Sequence, residues 1–302
     1  LYDKGGKRRS FFLCKCDCGN EIVLPGIKLK NGNNKSCGCI NTPKYPIDET
    51  YFEKIDTKSK AYFLGFLYTD GTVSNSDENI KRVQLSLNTK DKIILKKFRN
   101  DLQTNKPIYD LVRKPRKYGN ISIPEGRTST LNISNVKIRN DLIKLGLTPN
   151  KTFSMKFPGH RKVSKKFMPH FIRGIFDGDG TIAKSGTSVS VNITSGAQLF
   201  LEGLSNCLFN NFNIHSSIIK YSRESKFSAD KKSNYWVLNI KAANSQFPHK
   251  KFGTGYNHKS FYNLIYNDLE VGLYLARKKE KFEKIYSFSN HEKSNSLFKL
   301  KQ

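Results

Sequence analysis

Acidic residues are scarce in this sequence. Against 53 Lys and Arg there are 25 Asp and Glu in 302 residues, a formal net charge of +28. Abundant Lys, Asn and Ile point to AT-rich coding, which inflates the lysine count, but the shortage of acids remains. A folded chain so charged has a strong positive field and a polyanion as its natural partner. Long apolar runs are also missing, and no stretch approaches the roughly 20 residues of a transmembrane helix. No membrane partner is therefore expected, and nucleic acid is favoured. No secretory signal opens the chain, so a disulfide framework is not expected. The six histidines are scattered without a ligand pair at helical spacing. Neither a Ser-His-Asp arrangement, a Walker loop nor a dinucleotide fingerprint appears. The terminal residues of a splicing intein are missing too, which suggests a free-standing protein.

What is present is one short pattern, twice. Residues 63–71 read FLGFLYTDG and residues 172–180 read IRGIFDGDG. Each is a mostly apolar helical run, opened by a capping candidate (Thr57, Ser164) and closed by a small residue, Asp and Gly. Gly71 and Gly180 fall where a helix stops in a left-handed conformation. Asp70 and Asp179 then lie at helix C-termini, where the macrodipole disfavours negative charge. Gly65 and Thr69 correspond to Gly174 and Gly178, each pair four residues apart on one helix face. Small residues at that spacing let two helices approach backbone to backbone. Packed roughly parallel, the helices would bring their aspartates together, and a divalent cation such as Mg²⁺ would relieve the repulsion. The plain alternative is a duplicated pair of buried helices with Asp-Gly as turn punctuation.

The chain is long enough for a substantial core. Residues 42–56, with Pro43 and Pro46, read as a linker. After the first motif, residues 80–88 alternate, with Val83, Leu85 and Leu87 inward and Arg82, Gln84, Ser86 and Asn88 outward. A helix at 90–103, strands at 108–113 and 128–134 and a helix at 135–146 follow. The second motif leads to a strand at 188–194, a helix at 196–209, strands at 216–222 and 234–241 and helix at 259–286. The order implies an α+β architecture of duplicated αββαββα units, at 57–160 and 161–286, before a polar tail at 287–302. Outward polar residues could read base edges or hold phosphates: Arg82, Gln84, Ser86, Asn88, Ser188, Ser190, Asn192, Asn239 and Lys241. Arg113, Lys114, Arg116, Lys117, Lys220 and Arg223 join them. Simple solvation is the other reading of such a face.

Five of six cysteines cluster early, at Cys14, Cys16, Cys18, Cys37 and Cys39, while Cys207 sits alone on a helical run. Two Gly-containing cysteine knuckles around a hairpin-like segment suit tetrahedral Zn²⁺. The alternative is a loop of metal-free thiols.

The two motifs, with the GDGTI that continues into a strand at 178–182, resemble the paired signature of single-chain LAGLIDADG homing endonucleases. That resemblance covers about residues 57–285. It implies a DNA-binding saddle, two or three Mg²⁺ between the motif helices and catalytic, metal-binding Asp70 and Asp179. Gly71 and Gly180 would lie near the metal or meet it through their backbone. It also implies a catalytic lysine near each centre that orients or polarises the attacking water, here Lys151 and Lys278, for which a solvated surface cation is the alternative. Tyr68 departs from the second motif's Asp177, at a position that is not the metal ligand in the family pattern. The implied function is site-specific cleavage of double-stranded DNA at a long recognition site by a monomer. An RNA-splicing maturase or a non-cleaving DNA-binding regulator is the alternative. CDCG and SCGC resemble the small zinc-ribbon-like segment at the front of phage-type DNA-binding proteins, which implies a small zinc-binding module at 1–41 ahead of the repeats. This implies one structural Zn²⁺ on Cys16, Cys18, Cys37 and Cys39, with Cys14 spare. The location implied is a bacterial cytoplasm, if phage-encoded, or an organelle.

Overall fold

Eight consecutive residues of the helix that carries the first motif, Ala61 to Tyr68, are buried. A helix apolar on all sides must lie inside the fold, and this one does. In the computed structural model it is α2 (Lys58–Asp70), capped by Thr57, whose side chain accepts from the Lys60 N–H at 3.2 Å. The structure describes residues 10–17, 19–32, 34–37, 45–75, 82–118, 121–185, 188–225, 228–241 and 257–285. Contacts divide the chain into two units, Leu1–Pro46 and Ile47–Gln302.

In the first unit, β1 (Phe11–Lys15) pairs antiparallel with β2 (Glu21–Pro25), and α1 (Gly26–Lys30) follows directly. Gly19, at φ +89°, closes the turn through its N–H to the Cys16 carbonyl at 2.8 Å.

The second unit holds two four-stranded antiparallel sheets. After α2 come β3 (Gly71–Val73), β4 (Arg82–Asn88), α3 (Lys92–Asp101) and β5 (Ile108–Arg113). Next are a small hairpin of β6 (Arg116–Tyr118) and β7 (Ile121–Ile123), then β8 (Gly126–Ser134) and α4 (Val136–Leu145). The second motif is α5 (Met168–Asp179). It leads to β9 (Gly180–Ser185), β10 (Ser188–Ser195), α6 (Gln198–Phe212), β11 (Ser217–Ser225), β12 (Ser228–Lys241), α7 (Asn257–Tyr266) and a last helix, α8, over residues 276–285. One sheet runs β3-β4-β8-β5 and the other β9-β10-β12-β11, so both share the order first, second, fourth, third. The alternation expected at 82–88 is observed, with Val83, Leu85 and Leu87 buried. One continuous core joins the motif helices to both sheets and to α3, α4, α6 and α7.

Four details differ from the sequence reading. Residues 47–56, read as linker, pack into the core: Tyr51, Phe52 and Ile55 are buried, and Tyr51 and Phe52 meet the Phe98 ring. The segment between the strands expected at 108–113 and 128–134, for which no element is expected, holds the paired strands β6 and β7. Ser164 opens a turn ahead of α5, whose N-cap is Phe167. Gly71 and Gly180 are not left-handed, since both have φ −79° and continue straight into strands. Space requires the glycine at both: a Cβ on Gly71 would stand 2.5 Å from the Leu67 carbonyl oxygen, and one on Gly180 the same distance from that of Phe176.

Candidate active site

The motif helices touch through their backbones. A Cβ on Gly65 would strike the Phe171 carbonyl, one on Gly174 the Tyr62 carbonyl, and one on Gly178 the Thr69 hydroxyl. Contacts advance together along α2 and α5, so the helices run parallel and end side by side. A Cβ on Gly178 would also lie 3.0 Å from Asp70 Oδ2, which places the Asp70 carboxylate beside the residue preceding Asp179.

Both carboxylates are open to solvent on one side, while the packed helix ends behind them remove part of their hydration. That desolvation raises Asp70 from the ordinary carboxylate value. It raises Asp179 to about 6, with the charge of Asp70 as the second cause. Among the described residues neither carboxylate receives a hydrogen bond or makes an ion pair. Nor does any group of three or more His, Cys, Asp or Glu gather into a ready cage. Two mutually repelling carboxylates, without further protein ligands among the described residues, suit Mg²⁺, which is commonly held by one or two carboxylates together with substrate phosphates.

Lys151 and Lys278 lie beside these aspartates, each closing a motif helix. The Lys151 ammonium donates to the carbonyls of Leu67, Tyr68 and Thr69 at 2.6, 2.6 and 2.8 Å. The Lys278 ammonium donates to those of Phe176, Gly178 and Gly180 at 2.8, 3.0 and 2.7 Å. A helix C-terminus leaves carbonyls unsatisfied and partly negative, and a buried cation satisfies both needs. All three donors of each ammonium are used, so neither lysine is a solvated surface cation. Burial lowers both to about 8, with Asp70 and Asp179 acting in the opposite direction.

Sequence reading missed what steers these lysines. Tyr68 donates to the Leu145 carbonyl at 2.8 Å, tying α2 to the end of α4, six residues before Lys151. At the matching position on α5, Asp177 accepts from the Leu275 N–H and the Tyr62 hydroxyl, both at 2.9 Å. Leu275 stands three residues before Lys278. Burial pushes Asp177 up to about 6. The available signal was a second acid inside an apolar run, since a buried carboxylate needs donors. Arg277, beside Lys278, makes a two-pronged pair with Asp91 at 2.8–3.1 Å, fastening the segment to the first half.

The expected base readers divide by position. Arg82, Gln84, Ser86 and Asn88 share the open face of the first sheet, where Ser86 meets Thr130 at 2.9 Å. Arg113, Lys114, Arg116 and Lys117 are exposed. In the second sheet Ser190, Asn192, Asn239 and Lys241 share the open face, and Asn239 donates to Asn192 while itself buried. Lys220 does not belong there: register pairs it with Trp236 on the inner face, its ammonium 6.0 Å from that ring. The side chains of Ser188 and Arg223 lie outside the described residues.

In the first unit the Cys37 N–H donates to Cys16 Sγ at 3.4 Å, and the Asn20 amide to Cys37 Sγ at 3.9 Å. Cys16 and Cys37 are thus neighbours, whereas Cys18 and Cys39 lie outside the described residues. Cys14 turns instead to the Phe12 carbonyl at 3.6 Å, and Cys207 is buried.

Residues 166–265 match the family model described as the LAGLIDADG-like domain, a stretch holding α5 and the second sheet. No curated protein sequence matches the chain. Among solved structures, the homing endonuclease I-WcaI bound to its DNA recognition sequence is similar at 15% identity. The match covers 78% of this chain and 91% of that one, with a TM-score of 0.50. Full-length DUF199/WhiA from Thermatoga maritima is similar at 15% identity over 82% of this chain and 71% of its own, with a TM-score of 0.41. With parallel motif helices above two antiparallel sheets, the chain has a LAGLIDADG-like fold.

Proposed function

We propose that this chain is a site-specific endonuclease of double-stranded DNA, of the homing type, dependent on a divalent metal. The carrying observation is the pair of carboxylates, Asp70 and Asp179, at the ends of two helices packed backbone to backbone. A pure binding module gains nothing from two carboxylates turned toward phosphates. One solved protein of similar fold is named as bound to its DNA recognition sequence.

On this reading the matching sheet orders reflect a duplicated unit, and the two open faces form one saddle along the duplex. Asp70 and Asp179 would hold two or three Mg²⁺, with Gly71 and Gly180 giving the close backbone approach. The metal supplies polarisation of the phosphoryl oxygen, an activated water and stabilisation of the leaving 3′ oxygen. Lys151 and Lys278 hold the helix ends in place and offset the carboxylate charge, and a monomer provides both centres. Incubation with a randomised duplex library and Mg²⁺, followed by sequencing of cut ends, tests the proposal. Ends converging on one long site with both strands cut support it. Enrichment of bound duplex without cut ends would leave a regulator instead.

For the first unit we infer one structural Zn²⁺, held by Cys16, Cys18, Cys37 and Cys39. The amide-to-sulfur contact sets Cys37 beside Cys16, the nearness that a shared ion needs. Metal analysis should find about one zinc per chain, and chelation should unfold this unit while the rest stays folded. Protein from a reducing host that holds no zinc would remove this inference.

A further inference from the structure

On each sheet, the strand farthest from the motif-helix junction turns large apolar side chains to the open side. These are Tyr109 and Leu111 on β5, 55% and 59% exposed, and Ile219 and Tyr221 on β11, 37% and 43% exposed. An antiparallel sheet facing only water would place polar residues there. Clustered exposed apolar groups mark an interaction surface.

Register puts these residues on the expected base-reading face. Tyr109 and Leu111 stand opposite Thr130 and Thr128, which pair on their other side with Ser86 and Asn88. Ile219 faces Val237, which is next to Thr194, and Tyr221 stacks on Tyr235 with ring centroids 5.5 Å apart. Arg113 follows Leu111 on the same face and lies across Gly126, its guanidinium 3.1 Å from where a Cβ there would be. Among the described residues, neither open face carries an acidic side chain on its paired strands. The surface is therefore polar toward the motif helices, where Arg82 stands, and largely apolar at its far edge, where Arg113 adds one cation.

We propose that the outer strands read thymine. Leu111 with Tyr109, and Tyr221 with Ile219, would contact C5-methyl groups in the major groove at the two ends of the recognition site. The inference rests on the duplex-DNA reading above. Its chemistry is specific, because the thymine methyl is the one apolar mark in the major-groove code. RNA carries uracil, which lacks the methyl, and its deep, narrow major groove cannot be read by side chains.

The test measures binding, not cleavage. Duplexes are selected from a randomised library by the full chain in Ca²⁺, and each conserved thymine is then replaced by deoxyuridine. Replacement at the ends of the site should weaken binding about fourfold per contacted methyl, the worth of one buried methyl group. Leu111→Ala should abolish that sensitivity at one end and Tyr221→Ser at the other. Uracil duplexes that bind as tightly as thymine duplexes at every position would overturn the proposal. So would sensitivity unchanged in both folded variants, or a preference for structured RNA. The thymine-to-uracil comparison with the unaltered chain stands even where a variant fails to fold. Selection of no duplex at all would instead overturn the DNA reading itself.

Discussion

The two halves close their motif helices with the same device and anchor it with different chemistry. In the first half Lys151 caps three carbonyls, and a neutral phenol, Tyr68, ties the helix to the lysine's segment. In the second half Lys278 does the same, while a buried acid, Asp177, makes the tie. Tyr68 also packs edge-on against Phe171 at 5.3 Å and meets Phe200 at 5.9 Å, so its ring stabilises the opposite half. Asp177 cannot contribute that apolar contact, and instead recruits Tyr62 from α2. Each half thus reaches into the other, once through a ring and once through a carboxylate. The ammonium on the helix end is the shared requirement, and the group that steers it is interchangeable.

The largest expected effect treats the halves alike. Asp70→Asn with Asp179→Asn should lower cleavage at least about a thousandfold, the loss of several kcal/mol of charge stabilisation at the metal. DNA binding in a gel-shift assay should survive, because no phosphate-contacting cation is touched. Full-rate cleavage by the double variant would sink the assignment.

Next comes the contact that joins the halves. Gly65→Ala or Gly174→Ala forces a methyl into a carbonyl of the opposite helix, so the helices must separate. A loss of about 3 kcal/mol in denaturant unfolding is expected, near the top of the usual range for overpacking. A change below about 0.5 kcal/mol from either would show that the helices are not in backbone contact.

The lysines sharpen the comparison. Lys151→Met and Lys278→Met should each lower unfolding stability by about 1–2 kcal/mol, since three carbonyls lose a charged donor. Adding Asp177→Asn should recover part of the loss for Lys278→Met, because it removes a buried carboxylate that has lost the offsetting charge of Lys278. Adding Tyr68→Phe should recover nothing for Lys151→Met. Equal behaviour of the two pairs would mean that the tie's charge does not matter. Cleavage measured at saturating DNA separates a role at the metal from one in binding.

The smallest effect is on pH. Asp179 is raised to about 6 in the folded chain, so between roughly pH 4 and 6 the folded state binds more protons than the unfolded one. The stability this group contributes is present below its unfolded pKa and is lost as pH rises through about 6. A cation competes with that proton, so Mg²⁺ affinity should fall as pH drops below 6. Calorimetric titration at pH 5.5 and 7.5 checks this, and equal affinities would contradict it.

Much of the fold was legible because its signals are local. Alternation at 82–88 and 188–194 and the apolar runs of both motifs placed the elements within a few residues. Their spacing also pointed to parallel helices with adjacent aspartates. The misreadings concern positions decided by distant partners. Tyr51 and Phe52 lie in a stretch without periodicity, and partners far along the chain, such as Phe98 and Asp101, make them core. Gly71 and Gly180 looked like turn glycines because crowding by a neighbouring carbonyl leaves no mark in sequence. Lys220 was misplaced because Ser217, Ile218, Ile219, Lys220 and Tyr221 show no clean alternation, so the strand's parity was unreadable until it was paired with β12. The lysines were found by resemblance, and their three carbonyl partners only by the structure.

The junction between each motif helix and its strand has a further consequence. Asp70 is the last residue of α2 and Gly71 the first of β3, and Asp179 and Gly180 repeat this for α5 and β9. With no loop between them, there is no slack to absorb movement. Any tilt of a sheet is passed directly to its own carboxylate, as in a lever cut from one piece. On the proposed reading, a duplex whose groove is too wide or too stiff to seat both sheets would pull the aspartates out of alignment. Sequence-dependent DNA stiffness, at base pairs that no side chain touches, would then set the cutting rate.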